Sequence, residues 1–187
     1  MATHPSSAAL LVAFVLLTGC ATEQGRFVEP RLDIVPPARD AATLRTTMLR
    51  AHNDARGAVG VAPLMWDDAL VGSAQRYADE MARTRRFAHA AQPAGAGRQG
   101  ENLWTGTRGA YRYEEMIAAW VDEARDFVNA PTPGFSRTRR WQDVAHYTQI
   151  VWRTTTRVGC AMGANARDEY LVCRYAPAGN VVGQRAF

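Results

Sequence analysis

The chain has 187 residues and a formal net charge of +4, which suits one domain with a mild basic excess. All 22 basic residues are arginine, so Schiff-base chemistry and a phosphate-loop lysine are excluded. No RNA- or DNA-binding signature accompanies the charge, and no nucleic-acid partner is expected.

Residues 1–19 carry no charged side chain, and Ala8–Leu17 is an unbroken apolar run. That run is too short to span a bilayer as a helix but suits the apolar part of an export signal. Leu17-Thr-Gly-Cys20 follows and resembles a bacterial lipobox, although the usual Lys or Arg before the apolar run is missing. The expectation is a lipoprotein signal over 1–19, an acylated Cys20 and a membrane anchor. A polar, proline-containing tether then runs over 20–40 and a domain over 41–187. The protein is thus placed outside the cytoplasm, in the cell envelope. With Cys20 lipidated, Cys160 and Cys173 remain as an even pair and predict a disulfide.

Asp40 can cap a first helix running to about Arg56, with Leu44, Met48, Ala51 and Ala55 on its apolar face. His52 lies beside that face, where a bond to a backbone carbonyl is the expected role. Leu64-Met-Trp66 reads as a short extended piece, and Asp67 and Asp68 cap a second helix over about Ala69–Arg83. Its stripe is Leu70, Ala74, Tyr77, Ala78 and Met81. In the loop from His89 to Gly100, Gly95-Ala-Gly-Arg-Gln-Gly100 matches the dinucleotide fingerprint. It lacks the strand before it and the helix after it that the chemistry needs. Glu101–Trp104 predicts a short strand, and about Arg112–Phe127 a third helix carrying Met116, Ile117, Trp120, Ala124 and Phe127 inward. Asn129–Arg140 is a loop with Arg137, Arg139 and Arg140. Arg157–Met162 and Glu169–Ala176 predict a hairpin that sets Cys160 beside Cys173.

The chemistry centres on His146, in Val144-Ala-His-Tyr-Thr-Gln-Ile-Val-Trp152, because a histidine beside a buried apolar tail needs hydrogen-bond partners. Candidate partners are His89, Glu101 and Glu123. They lie far apart along the chain, so only the fold could gather them. Two neutral imidazoles and a carboxylate make a zinc set with a position left for water. Solvated or locally bonded side chains are the other reading of the same four residues.

His146-Tyr-Thr-Gln-Ile-Val-Trp152, Gly159-Cys160-Ala161 and Leu171-Val-Cys-Arg-Tyr-Ala-Pro-Ala-Gly-Asn180 resemble the two signature motifs of the CAP superfamily. That superfamily holds the cysteine-rich secretory, antigen 5 and plant pathogenesis-related class 1 proteins. Gly100-Glu-Asn-Leu103, Trp120-Val-Asp-Glu123 and Ala51-His-Asn-Asp-Ala-Arg56 fall in its order, and the likeness covers about Ala41 to Phe187. The resemblance implies an α+β, three-layer α-β-α sandwich with a cleft lined by His89, Glu101, Glu123 and His146. It also implies a divalent metal, such as Zn²⁺, between the histidines of some members, not required for the fold. His89 departs from the pattern, lacking the usual serine after it, and the disulfides are fewer than in plant relatives. No cysteine-rich module follows, which argues against the ion-channel toxin branch.

Two functions follow from the resemblance. One is a binding module for lipid, sterol or a partner protein. The other is a metal-dependent hydrolase with Glu101 or Glu123 as catalytic base. Ser73 and Ser136 are the only serines after the signal and neither sits in a nucleophile motif, which weakens a serine-nucleophile hydrolase. Family members generally resemble secreted binding or effector proteins, so the binding module is the expected function. Oligomeric state is not legible.

Overall fold

The computed structural model describes residues 39–187. Cys20, the signal and most of the tether therefore lie outside the described residues. Arg39 and Asp40, assigned above to the end of the tether, already belong to the domain. Asp40 accepts the Thr43 N–H at 2.7 Å, and Arg39 pairs with Glu169 at 3.1 Å.

Eight elements follow: α1 (Ala41–Ala58), β1 (Met65–Trp66), α2 (Asp68–Thr84), β2 (Gly100–Thr107), α3 (Tyr113–Val121), α4 (Ala145–Ile150), β3 (Arg157–Ala164) and β4 (Asp168–Ala176). The sheet order is β1-β3-β4-β2, parallel only between β1 and β3. Strand alternation divides the core in two. Cys160, Leu171, Cys173 and Tyr175 face a cluster with Leu44 and Met48 of α1, Trp120 of α3 and Ile150 of α4. Ala161, Tyr170 and Val172 face Ala74, Ala78 and Met81 of α2. The sheet is thus covered on both faces, which is the three-layer α-β-α sandwich. Cys160 and Cys173 are register partners and form the disulfide.

Asp67 caps α2, accepting the N–H groups of Ala69 and Leu70. The helix then lies close on β3, because Gly159 and Gly163 present no side chain to it. A Cβ at Gly159 would stand 2.5 Å from Val71 N, and one at Gly163 2.5 Å from Ala78 C.

A buried arginine joins the other layer. Arg56 donates to the carbonyls of Ala62, Ile150, Trp152 and Thr155 at 2.6–2.9 Å. Burial lowers its guanidinium to about 10, so it stays charged at neutral pH. A cation on the carbonyls that end α4 suits the helix dipole. It also fixes the chain leaving the His146 segment.

The predicted third helix is corrected by the structure. It stops at Val121 and continues as a 3₁₀ turn, Asp122–Asp126. Ala124, expected inward, is exposed. Tighter winding brings residues three apart closer to eclipse. Glu123 is thereby drawn towards the face of Trp120, where both meet His146.

Candidate functional site

His146 sits in the first turn of α4, and two side chains fix its ring. Trp120 stacks on it at 5.7 Å between centroids, 17° from parallel. Glu123 Oε1 lies 2.6 Å from Nδ1. Glu123 Oε2 accepts the backbone N–H groups of His146 and Tyr147, both at 3.0 Å. Those N–H groups have no partner within the helix, so the carboxylate supplies one. Facing an acceptor-only carboxylate, Nδ1 must carry the proton, which leaves the Nε2 position as the ring's free edge.

His89, which lines the same cleft, repeats the arrangement. Glu101 Oε1 stands 2.6 Å from its Nδ1 and accepts the Ala90 N–H at 3.1 Å. Glu101 Oε2 meets the guanidinium of Arg174 at 2.8 Å. Arg174 is buried, and burial lowers its pKa while Glu101 opposes that effect. Its guanidinium also lies 5.2 Å over the ring of Tyr77. The buried pair Arg174–Glu101 therefore supports a ring, His89, that is largely in solvent.

His89, Glu101 and His146 line one cleft of about 750 Å³, with Asn102, Trp141 and Asn180 among its other walls. Glu123 stands behind His146 and does not line it. Each carboxylate is bonded to the Nδ1 side of its ring, Glu123 from behind the wall and Glu101 from within it. That is how outer carboxylates orient metal-ligating histidines, so the donor set suits an ion held by two Nε2 atoms. Among the described residues no group of three His, Cys, Asp or Glu is close enough to hold a metal. Solvent or ligand would complete the coordination.

Several residues shape the cleft without having stood out in sequence. Asn102 donates to the His146 carbonyl at 3.1 Å. Asn180, at a positive φ of 53°, ties the start of α4 by donating to Ala145 O and accepting from Thr148. Gln149 is buried and accepts the Gly179 N–H at 2.9 Å. Gly100 allows that approach, since a Cβ there would lie 2.2 Å from Gln149 Oε1. All these residues fall inside the motifs quoted above, which is the signal that could have found them. Ser73 donates to Gln99 and Ser136 bonds Thr138. Neither hydroxyl bonds a histidine. His52 is buried between the carbonyl of Met48 and the hydroxyl of Tyr175, as a core histidine.

Among the described residues no helix is long and apolar enough to cross a membrane. The family described as Cysteine-rich secretory protein family (CAP) matches residues 49–175. A pathogenesis-related protein of PR-1 type from Sambucus nigra is 36% identical over 141 residues, 73% of this chain and 78% of that protein. Pathogenesis-related protein 1B of Nicotiana tabacum is 34% identical over 155 residues, 82% of this chain and 87% of its own. Among solved structures, that of NaASP2 with Zn²⁺ matches with a TM-score of 0.65 and 26% identity. It covers 79% of this chain and 86% of that one. The structure of BmVAL-1 matches in fold, with a TM-score of 0.64, 24% identity, and coverage of 81% and 85%. The chain belongs to the CAP family of cysteine-rich secretory proteins.

Proposed function

We propose that this is an exported, membrane-tethered CAP-domain binding module whose cleft offers the free edges of His89 and His146 to a ligand. The observation that supports this reading most is the use made of the two carboxylates. Glu101 is engaged by His89, Ala90 N–H and Arg174, and Glu123 by His146 and two backbone N–H groups. A general base needs a lone pair within reach of the proton it takes. Here both Glu123 oxygens and Glu101 Oε1 hold rings and backbone in place, while Glu101 Oε2 is buried beside the Arg174 guanidinium without a hydrogen bond of its own. A nearby hydroxyl, Thr148, is likewise spent between Ala145 O and Asn180. The hydrolase reading, with Glu101 or Glu123 as base, is the weaker one on that ground.

A divalent ion such as Zn²⁺ would be held by Nε2 of His89 and His146. When bound it would supply a Lewis-acidic contact for an oxygen of the ligand. Neither ring needs the ion to keep its orientation, because its carboxylate already sets it. Lipid, sterol or a partner protein are the ligand classes the family resemblance suggests. The Cys160–Cys173 bridge supports export, since such bonds persist in oxidising compartments. Attachment through Cys20 rests on the lipobox.

The test is Zn²⁺ titration of the full chain, followed calorimetrically and at the His146 ring by NMR. Wild type is expected to bind and His146→Ala to lose binding; equal uptake by both would remove the metal from the site. Hydrolysis of a peptide or ester substrate that Glu101→Gln abolishes would overturn the binding-module reading.

A further inference from the structure

The cleft does not end at His89. His89 and Ala90 also line a second hollow of about 650 Å³, cut between α2 and the loop that follows it. Two guanidiniums, Arg76 and Arg86, stand in its wall against one carboxylate, Glu80. Both arginines are exposed, and neither has an acidic partner among the described residues. On the other side of His89 the main cleft adds one exposed arginine, Arg98, to a set of mostly neutral groups. Trp141 is 45% exposed at its rim. The Gln142 side chain beside it has no hydrogen-bond partner among the described residues, and the side-chain carboxamides of Gln92 and Gln99 use only their oxygens.

We propose that the two hollows form one groove for an acidic polysaccharide, which crosses His89 with its carboxylates on Arg76 and Arg86 and a sugar ring on Trp141. The inference rests on the reading of the cleft as a binding site. A pyranose has an apolar C–H face and a rim of hydroxyls. An exposed indole suits the first, and carboxamides, each donor and acceptor at once, suit the second. Guanidiniums take carboxylates through paired N–H bonds.

Two other ligand classes fit less well. An extended peptide gains affinity by adding a strand to a free sheet edge. The strand at this edge is β2, and its Leu103 carbonyl already accepts the Trp120 indole N–H at 3.3 Å. A lipid chain laid along the second hollow would desolvate two guanidiniums and give them nothing in return.

The experiment is calorimetry of the full chain at low salt with hexagalacturonate. Maltohexaose serves as the neutral sugar and hexaglutamate as the acidic non-sugar. Hexagalacturonate is expected to bind at least about tenfold more tightly than either control, roughly 1.4 kcal/mol. Arg76→Ala/Arg86→Ala should bring it down towards the level of maltohexaose. Trp141→Ala should weaken both sugars by about fivefold or more, as loss of an aromatic contact does. The melting temperature of both variants should stay at the wild-type value. Hexaglutamate binding as tightly as hexagalacturonate, or either variant binding hexagalacturonate like wild type, would overturn the proposal. Zn²⁺ titration at His146 in the same samples separates the two levels. Zinc binding without sugar binding overturns the glycan and leaves the cleft; neither binding overturns both.

Discussion

Glu123 holds His146 twice, by the ring Nδ1 at 2.6 Å and by the backbone N–H at 3.0 Å. One carboxylate therefore sets the ring and caps the helix that carries it. Glu123→Ala leaves two N–H groups at the start of α4 without that acceptor. The expected cost is about 1–2 kcal/mol, the usual range for a lost helix cap. Glu123→Gln keeps one acceptor oxygen and should lose less. Denaturant unfolding measures both, and ¹⁵N shifts of the His146 ring should show a mixture of tautomers in the alanine variant. Wild-type stability and a single tautomer in Glu123→Ala would show the carboxylate to be idle.

The pair behind the other histidine is far less accessible, with side chains of Arg174 and Glu101 only 4% and 5% exposed. Removing one partner of such a pair leaves an uncompensated charge, at a cost of about 3–5 kcal/mol. Arg174→Met is expected to fall in that range by chemical denaturation. Glu101→Gln should then cost less in the Arg174→Met background than in wild type, because the carboxylate has already lost its counter-charge. Strict additivity of the two substitutions would mean that the ion pair does not couple them.

His52 makes stability depend on pH. Burial, helped by the nearby charge of Arg56 and opposed by the bond to Met48, lowers its pKa from 6.5 to about 4. The unfolded chain thus takes up the proton first as pH falls. The contribution of His52 is complete above about pH 6.5 and is lost between there and about pH 4, some 3 kcal/mol in all. His52→Gln should lower stability at neutral pH but flatten this part of the profile. Unfolding curves at a series of pH values decide it; parallel profiles for wild type and variant would place the acid sensitivity elsewhere.

Much of the frame was legible in sequence because it depends on local periodicity. Leu44 and Met48 on α1, Ala74 and Ala78 on α2, and the β3–β4 hairpin are all where the pattern puts them. The break after Val121 was not legible, since Asp122-Glu123-Ala-Arg125 reads as helix until Glu123 is seen to serve the start of α4. The Gly95–Gly100 match failed for the reason of context: a 3₁₀ turn at Gly95–Gly97 runs into β2, and no helix opens. Pairing of His89 with Glu101, and of Glu123 with His146, is tertiary. Spacing could not supply it, although family resemblance named all four residues. Arg174, Asn102 and Asn180 escaped notice because their roles are bonds to other parts of the cleft, and those are set only once the layers pack.

Two glycines give opposite forecasts from one kind of substitution. Gly57 lies in the last turn of α1 with nothing within 4 Å of a built Cβ. Gly57→Ala removes backbone freedom from the unfolded chain and should stabilise by about 0.5–1 kcal/mol. Gly163 lies under α2, where a Cβ would meet the Ala78 carbon and oxygen at 2.5 Å. Those are backbone atoms of a helix that Asp67 caps and Met81 and Ala82 bury, so they cannot swing aside as a side chain would. Gly163→Ala must lift the helix from the sheet and should cost about 1–3 kcal/mol, as overpacking does. Thermal unfolding of both variants beside wild type tests the contrast. A neutral Gly163→Ala would mean that α2 rides on β3 more loosely than its close approach at Gly159 and Gly163 requires.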